Sequence, residues 1–217
     1  MSMMTPWGYT LTTATSLADF ITATEFDSYT ASKFHGDSRI TANIPAATRA
    51  IQNYCGWHIS PNLECEMIYN IHDLRDAFVN GDLLIQLPSR FVTAIKSILL
   101  DAVPGNEPGT WTGTETTDFE FDRTGLLRIF DVGCRGKRSR IRIIFDSGLP
   151  SEQMDVLKEL TAHRVTHAVT SSYGITSESA GGVSVSYNVS WAGNTRATAL
   201  ANDNKEILEV YRVKGVY

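Results

Sequence analysis

The chain has 217 residues, 42% of them hydrophobic, enough for one generous domain or two small ones with a buried core. With 24 acidic against 19 basic residues the formal charge is −5, which argues against wholesale nucleic-acid binding, where a basic face dominates the composition. Three cysteines make a disulfide framework a poor expectation and a reducing compartment during synthesis the simpler one.

No run reaches the roughly 18 apolar residues of a membrane span, and the opening "MSMMTPWGYTLTTATSL" lacks the basic and apolar regions of a signal peptide. A soluble, unsecreted product without a membrane partner is expected. Residues 1–18 are polar and Thr-rich without clear period, yet carry Trp7, Tyr9 and Leu11, which suits either an arm that packs on something or a disordered tail. In "ITATEFDSYTASKF" Thr22 stands three residues before Glu25, the spacing of a capping box, and Phe26, Tyr29 and Phe34 supply a buried side for a short first helix. In the second helix Ile40, Ile44, Ala47, Ile51 and Tyr54 fall on one stripe. Pro45 complicates its start and moves the expected regular part to about Asn43, and Gly56 is its natural left-handed terminator.

From about residue 62 to 147 short β-branched or aromatic runs alternate with turn chemistry such as "NGD", "DRTG" and "GCRGK", which predicts a small, mostly antiparallel sheet. In "SRIRIIF", Arg140 and Arg142 alternate with Ile141, Ile143 and Phe145, as in a strand with one face in water. After Pro150 a long third helix is expected to about Ser172, with Met154, Val156, Leu157, Leu160, Val165, Ala168 and Val169 spread over more than half its circumference. "VSVSYNV" predicts a hairpin within about 175–191. A last helix to about Val213 carries Leu200, Ile207, Leu208 and Tyr211 on one side, with Lys205 and Glu209 as an ion pair. The order of elements predicts an α+β fold: mainly an α-helical bundle of about four helices, 22–57 and 150–214, with a small antiparallel β-domain inserted at about 62–147 and a hairpin before the last helix. The expected organisation is an arm, 1–18, and one domain, 19–217.

Candidate chemistry is thin. Cys55, His58 and Cys65 are soft donors, but a structural zinc site wants four in clustered spacing, and a buried cysteine at a helix end is the better reading. His163 and His167 share a helix face at metalloprotease spacing, but "RVT" between them lacks the general base. A metal-dependent hydrolase built on Cys55, His58, His163 and His167 is therefore a distant alternative, and no cofactor, metal or catalytic residue is expected. Arg135, Lys137, Arg138, Arg140 and Arg142 form a basic cluster in an otherwise acidic chain. It suits contact with an acidic partner or a nucleic-acid backbone, and equally a solvated hairpin, the reading charge runs usually deserve.

Four collinear stretches, "DFITATEFDSYT", "IPAATRAIQNYCGW", "LPSRFVTAIKSILLD" and "IRIIFDSGLPSEQMDVLKEL", with a weaker fifth in "SESAGGVSVSYN", resemble the head-to-tail connector (adaptor) proteins of long-tailed bacteriophages, the portal-docking ring of the neck. The resemblance spans about residues 19–213 and departs from a typical member at Pro45 and in the loop "DAVPGNEPGTWTGTETTDF". It implies a structural virion protein, not an enzyme: a homo-oligomeric ring of about twelve copies, made in the host bacterial cytoplasm and fixed at the head–tail interface. Implied partners are the portal protein, a head-closure or tail-completion protein, and double-stranded DNA passing in transient, non-specific contact. The chain end then becomes the portal-docking segment, through Val210, Tyr211, Arg212, Val213, Val216 and Tyr217. Another neck or tail-completion protein is the alternative within the class, and a DNA-binding module working through the basic cluster is one outside it.

Overall fold

The structure is a computed structural model that describes residues 2–70, 74, 77–101, 113–130, 132, 140–170, 177–180, 183–186 and 202–213. The chain divides into two compact units, one of Met1–Ala18, Cys55–Ser151 and Tyr211–Tyr217, the other of Asp19–Tyr54 and Glu152–Val210.

The first unit is built of antiparallel sheet. Its longest ladder centres on β10 (Arg140–Ser147), which pairs along its whole length with β3 (Leu63–Asn70) and with β6 (Val92–Asp101). The alternation in β10 is the cause: Ile141, Ile143 and Phe145 are fully buried, while Arg142 and Asp146 face outward, Arg142 to Glu66 and Asp146 to Lys96. β1 (Met3–Met4) and β2 (Thr10–Leu11) extend the sheet beyond β3, and β7 (Thr114–Glu115) closes it beyond β6, giving six strands in the order β1-β2-β3-β10-β6-β7. A second sheet of four strands runs β4-β5-β9-β8, from β4 (Phe78–Val79), β5 (Asp82–Gln86), β8 (Phe119–Phe121) and β9 (Leu126–Ile129). Both sheets bury their inner faces in one core. Ile98, Ile143 and Phe145 from the first meet Leu83, Ile85, Leu127 and Ile129 from the second, together with Tyr9 and Leu11. Each such side chain contributes on the order of 1.5–3 kcal/mol relative to exposure. Met3–Met4 and Thr10–Leu11 thus belong to the sheet, and Tyr9 and Leu11 to its core.

The second unit holds α1 (Ala23–Tyr29), α2 (Ser38–Cys55) up to Tyr54, α3 (Asp155–Thr170), α4 (Asn202–Leu208) and a two-stranded ladder of β11 (Ser177–Ala180) with β12 (Val183–Ser186). The capping box forms: the Glu25 amide donates to Thr22 Oγ1 at 3.1 Å and the Thr22 amide to Glu25 Oε2 at 2.8 Å. Ile40, Ile44, Ala47 and Ile51 are buried as their spacing predicts. The helix nevertheless begins at Ser38 and runs through Pro45, because apolar positions before and after the proline are buried along one stripe. On α3 the buried arc differs from expectation. Val156 is 44% exposed, whereas Thr161 and Arg164 are buried among Leu157, Leu160 and Val165, and burial lowers the Arg164 pKa to about 10.

The expected helical bundle with a small β-insertion is overturned. Ten strands in two antiparallel sheets carry the larger core, while α1 and α4 are only seven residues each, too short to form a bundle. Among the described residues no helix is long and apolar enough to cross a membrane.

Gly148, directly after β10, has φ +140°, and a Cβ there would collide with the Pro61 carbonyl oxygen and the Asn62 backbone. Gly8, at φ +85°, has open space around it. Gly148→Ala is therefore expected to destabilise by about 3 kcal/mol or more, against about 1 kcal/mol for Gly8→Ala, measured by chemical denaturation.

Candidate functional site

The C-terminal residues expected to dock a partner fall in two places. In the second unit, Leu208 is fully buried at the end of α4, the Tyr54 hydroxyl donates to Glu209 Oε1 at 2.6 Å, and Val210 is 65% exposed. Glu209 is thus engaged by a tyrosine on α2. In the first unit, Tyr211, Arg212 and Val213 lie against a seat formed by Cys55, Trp57, Arg90 and Phe91. Trp57 Nε1 donates to the Tyr211 carbonyl at 2.6 Å, an Arg90 guanidinium nitrogen to the Arg212 carbonyl at 3.2 Å, and the Val213 amide to the Cys55 carbonyl at 2.9 Å. The rings of Trp57, Phe91 and Tyr211 stack in series, with centroids 5.9 and 6.4 Å apart. Partial burial raises the Tyr211 pKa above its ordinary value, so its hydroxyl stays protonated. Beside this seat Gln86, Arg90, Thr124 and Val213 line an open cavity of about 220 Å³. Val216 and Tyr217 lie outside the described residues.

Sequence reasoning singled out Tyr211 and its neighbours but missed their seat. Trp57 and Phe91 are 34 positions apart and belong to no shared periodicity. The available signal was two large aromatics beside turns, at Gly56 and after Pro88.

Of the basic cluster, Arg140 and Arg142 stand on the outward face of β10. Arg142 makes a two-pronged pair with Glu66, 2.9 and 3.3 Å, so much of its charge is answered within the sheet. Arg135, Lys137 and Arg138 lie outside the described residues.

The thiol and imidazole candidates separate. Cys55 and Cys65 are buried free thiols, and burial pushes the Cys65 pKa up to about 12, which makes it unreactive. His58 is fully buried, with Nδ1 2.8 Å from the Tyr9 hydroxyl and Nε2 3.1 and 3.0 Å from the carbonyls of Pro61 and Ser147. Both ring nitrogens are occupied by hydrogen bonds. His163 and His167 are exposed on one face of α3. Among the described residues no three His, Cys, Asp or Glu side chains are grouped as a metal would require.

What the geometry offers is sockets that hold segments of chain by backbone hydrogen bonds and stacked rings, the equipment of a structural protein. The family model described as head completion protein matches residues 19–213, and the chain belongs to that family. It is accordingly a bacteriophage structural protein of the head–tail junction, which bears out the resemblance to the connector proteins. No curated protein matches the chain.

Trp57→Phe keeps the stacked ring but removes the donor to the Tyr211 carbonyl. Exchange of the Val213 amide is expected to quicken about fivefold, the equivalent of ~1 kcal/mol, with the amides of β10 unchanged.

Proposed function

We propose that this chain is the subunit of the head-to-tail adaptor ring, a closed assembly of about twelve copies beneath the portal that receives the next neck or tail-completion protein and surrounds the DNA path. The observation that carries the reading is the head completion protein match over residues 19–213. On this reading residues 19–217 are the adaptor domain and 1–18 its arm, and the protein is made in the bacterial cytoplasm and ends in the virion.

The chain end is the proposed portal-docking element, through Val210, Tyr211, Arg212, Val213, Val216 and Tyr217. Val210, 65% exposed, offers apolar surface of the kind a partner covers, and the hydrogen bonds at Tyr211 to Val213 give the segment a fixed root. A conduit must let DNA slide. Net charge of −5 and the pairing of Arg142 with Glu66 both favour weak, transient phosphate contact over tight binding by the five cations from Arg135 to Arg142.

Mixing the purified chain with its portal is expected to give a stoichiometric complex by light scattering, and Val210→Asp should weaken it about tenfold or more while leaving the unfolding transition in place. A wild-type chain that never binds the portal, before or after DNA packaging, would overturn the proposal. Binding to a different neck component instead would select the second reading within the family, a tail-completion role.

A further inference from the structure

The N-terminal arm lies outside the family match, which begins at residue 19, yet its Tyr9 and Leu11 are 1% and 0% exposed in the first unit's core. The ladder that holds it is short: Thr10 opposite Glu66 and Leu11 opposite Cys65. Thr12 adds its amide to the Glu64 carbonyl at 3.0 Å and its hydroxyl to Glu64 Oε1 at 2.5 Å. The remaining polar anchor is Tyr9 on His58.

The hydrogens of that anchor can be assigned. Nε2 of His58 faces two carbonyls, Pro61 and Ser147, which only accept, so Nε2 carries the hydrogen. Nδ1 of the neutral ring is then an acceptor and the Tyr9 hydroxyl donates to it at 2.8 Å, while the same hydroxyl oxygen accepts the His58 backbone amide at 3.0 Å. Every hydrogen has one place. A second proton on the ring can go only to Nδ1. There it meets a hydroxyl that already accepts one hydrogen and has just lost the acceptor for its own, and it leaves a cation in an enclosed site. The two carbonyl contacts at Nε2 are indifferent to this or strengthened by it. Of the hydrogen bonds to the ring, the one lost is the one to the arm.

We propose that Tyr9 and His58 form an acid-labile latch that fastens residues 2–12 to the edge of β3, and that protonation of His58 frees the arm while the sheet behind it stays folded.

Burial holds the imidazole pKa at about 4 in the latched state, below its ordinary 6.5. The latched state therefore resists the proton and the opened state takes it up. Closure is fully favoured above the ordinary value and weakens as pH falls from there to about 4, below which the effect levels off. Tyr9, from the arm, is held far above its ordinary pKa by burial, and Cys65, from β3, is raised to about 12, so both stay neutral. Trp57, Pro61, Ser89 and Ser147 do not titrate in this range. Glu64 and Asp146 bind Lys96 at 2.7 and 2.9 Å. Glu64 also takes the Thr12 hydroxyl, and its pKa is lowered by Lys96 first and then by Thr12, so it is a competing acid trigger on the arm, while Glu66, opposite Thr10, pairs with Arg142. Opening exposes the pairing edge of β3, a template for a strand from another chain.

The test is amide hydrogen exchange on the full chain from pH 7 to pH 3.5, corrected for intrinsic rates, with the His58 ring followed by NMR. The opening constant of amides at 9–12 should rise about tenfold or more between pH 7 and pH 4, with about a hundredfold as the ceiling, in step with His58, while β10 amides hold. Glu64→Gln should keep that step, and Tyr9→Phe should leave the arm open already at pH 7. The proposal is overturned by any of three results: arm and β10 losing protection together, an arm still protected after His58 has titrated, or a step abolished by Glu64→Gln. The wild-type comparison decides alone should Tyr9→Phe not fold.

Discussion

The one-sided burial of β10 is the constraint on which the first unit rests. Three fully buried side chains, Ile141, Ile143 and Phe145, alternate with outward residues, among which Arg142 and Asp146 have their charges answered by Glu66 and Lys96. A one-residue slip against β3 or β6 would turn all three into water and bring Arg142 and Asp146 inward, so register is strongly specified on both sides at once. The strand's end carries further duty. The Ser147 carbonyl accepts from His58, its hydroxyl meets Ser89 Oγ at 2.7 Å, and Gly148 then passes where no side chain fits. Both the arm's anchor and the turn at 58–61 are positioned by where β10 stops.

Two segments from opposite ends of the chain are received by this unit in different ways. The arm enters through side chains, a buried tyrosine and a leucine, with a two-residue ladder. The C-terminal residues enter mainly through their backbone, with carbonyls and an amide satisfied by Trp57, Arg90 and Cys55, and with one side chain, Tyr211, stacked on Phe91. Backbone capture is tolerant of which side chains follow, whereas side-chain capture depends on the particular residues buried, here Tyr9 and Leu11. That difference makes the chain end suited to presenting contacts to a partner and the arm suited to conditional release.

Local features were legible in the sequence where the cause is local. The Thr22 and Glu25 capping box, the Ile40 to Ile51 stripe and the alternation in β10 are set by residues three, four or two apart. The overall balance was not legible, because weighing helix against sheet needs to know which strands share a core. Trp7, Tyr9 and Leu11 alternate with Gly8, Thr10 and Thr12 at the period of a strand, but over too few residues to decide it, and strands as short as Met3–Met4 or Thr114–Glu115 exist only through their partners. The proline at 45 was read by its local penalty, whereas the buried stripe on both sides of it decided the outcome. On α3 Val156 is exposed and Arg164 buried for a similar reason: a wide arc of small and apolar residues does not by itself fix which side is covered. The chain end stands out in the sequence through the family resemblance, but its seat, assembled from residues 55, 57, 90 and 91, exists only in three dimensions.

Membership in the head completion protein family places the chain at the head–tail junction, and the proposed adaptor ring is the specific form of that role. The most direct test is a symmetry-averaged image of the neck of intact particles with this chain traced through its density. The expected density is a closed ring of about twelve copies directly below the portal, with the chain end turned toward it. A chain absent from the mature particle, or lodged away from the portal as an open or solitary copy, would contradict it.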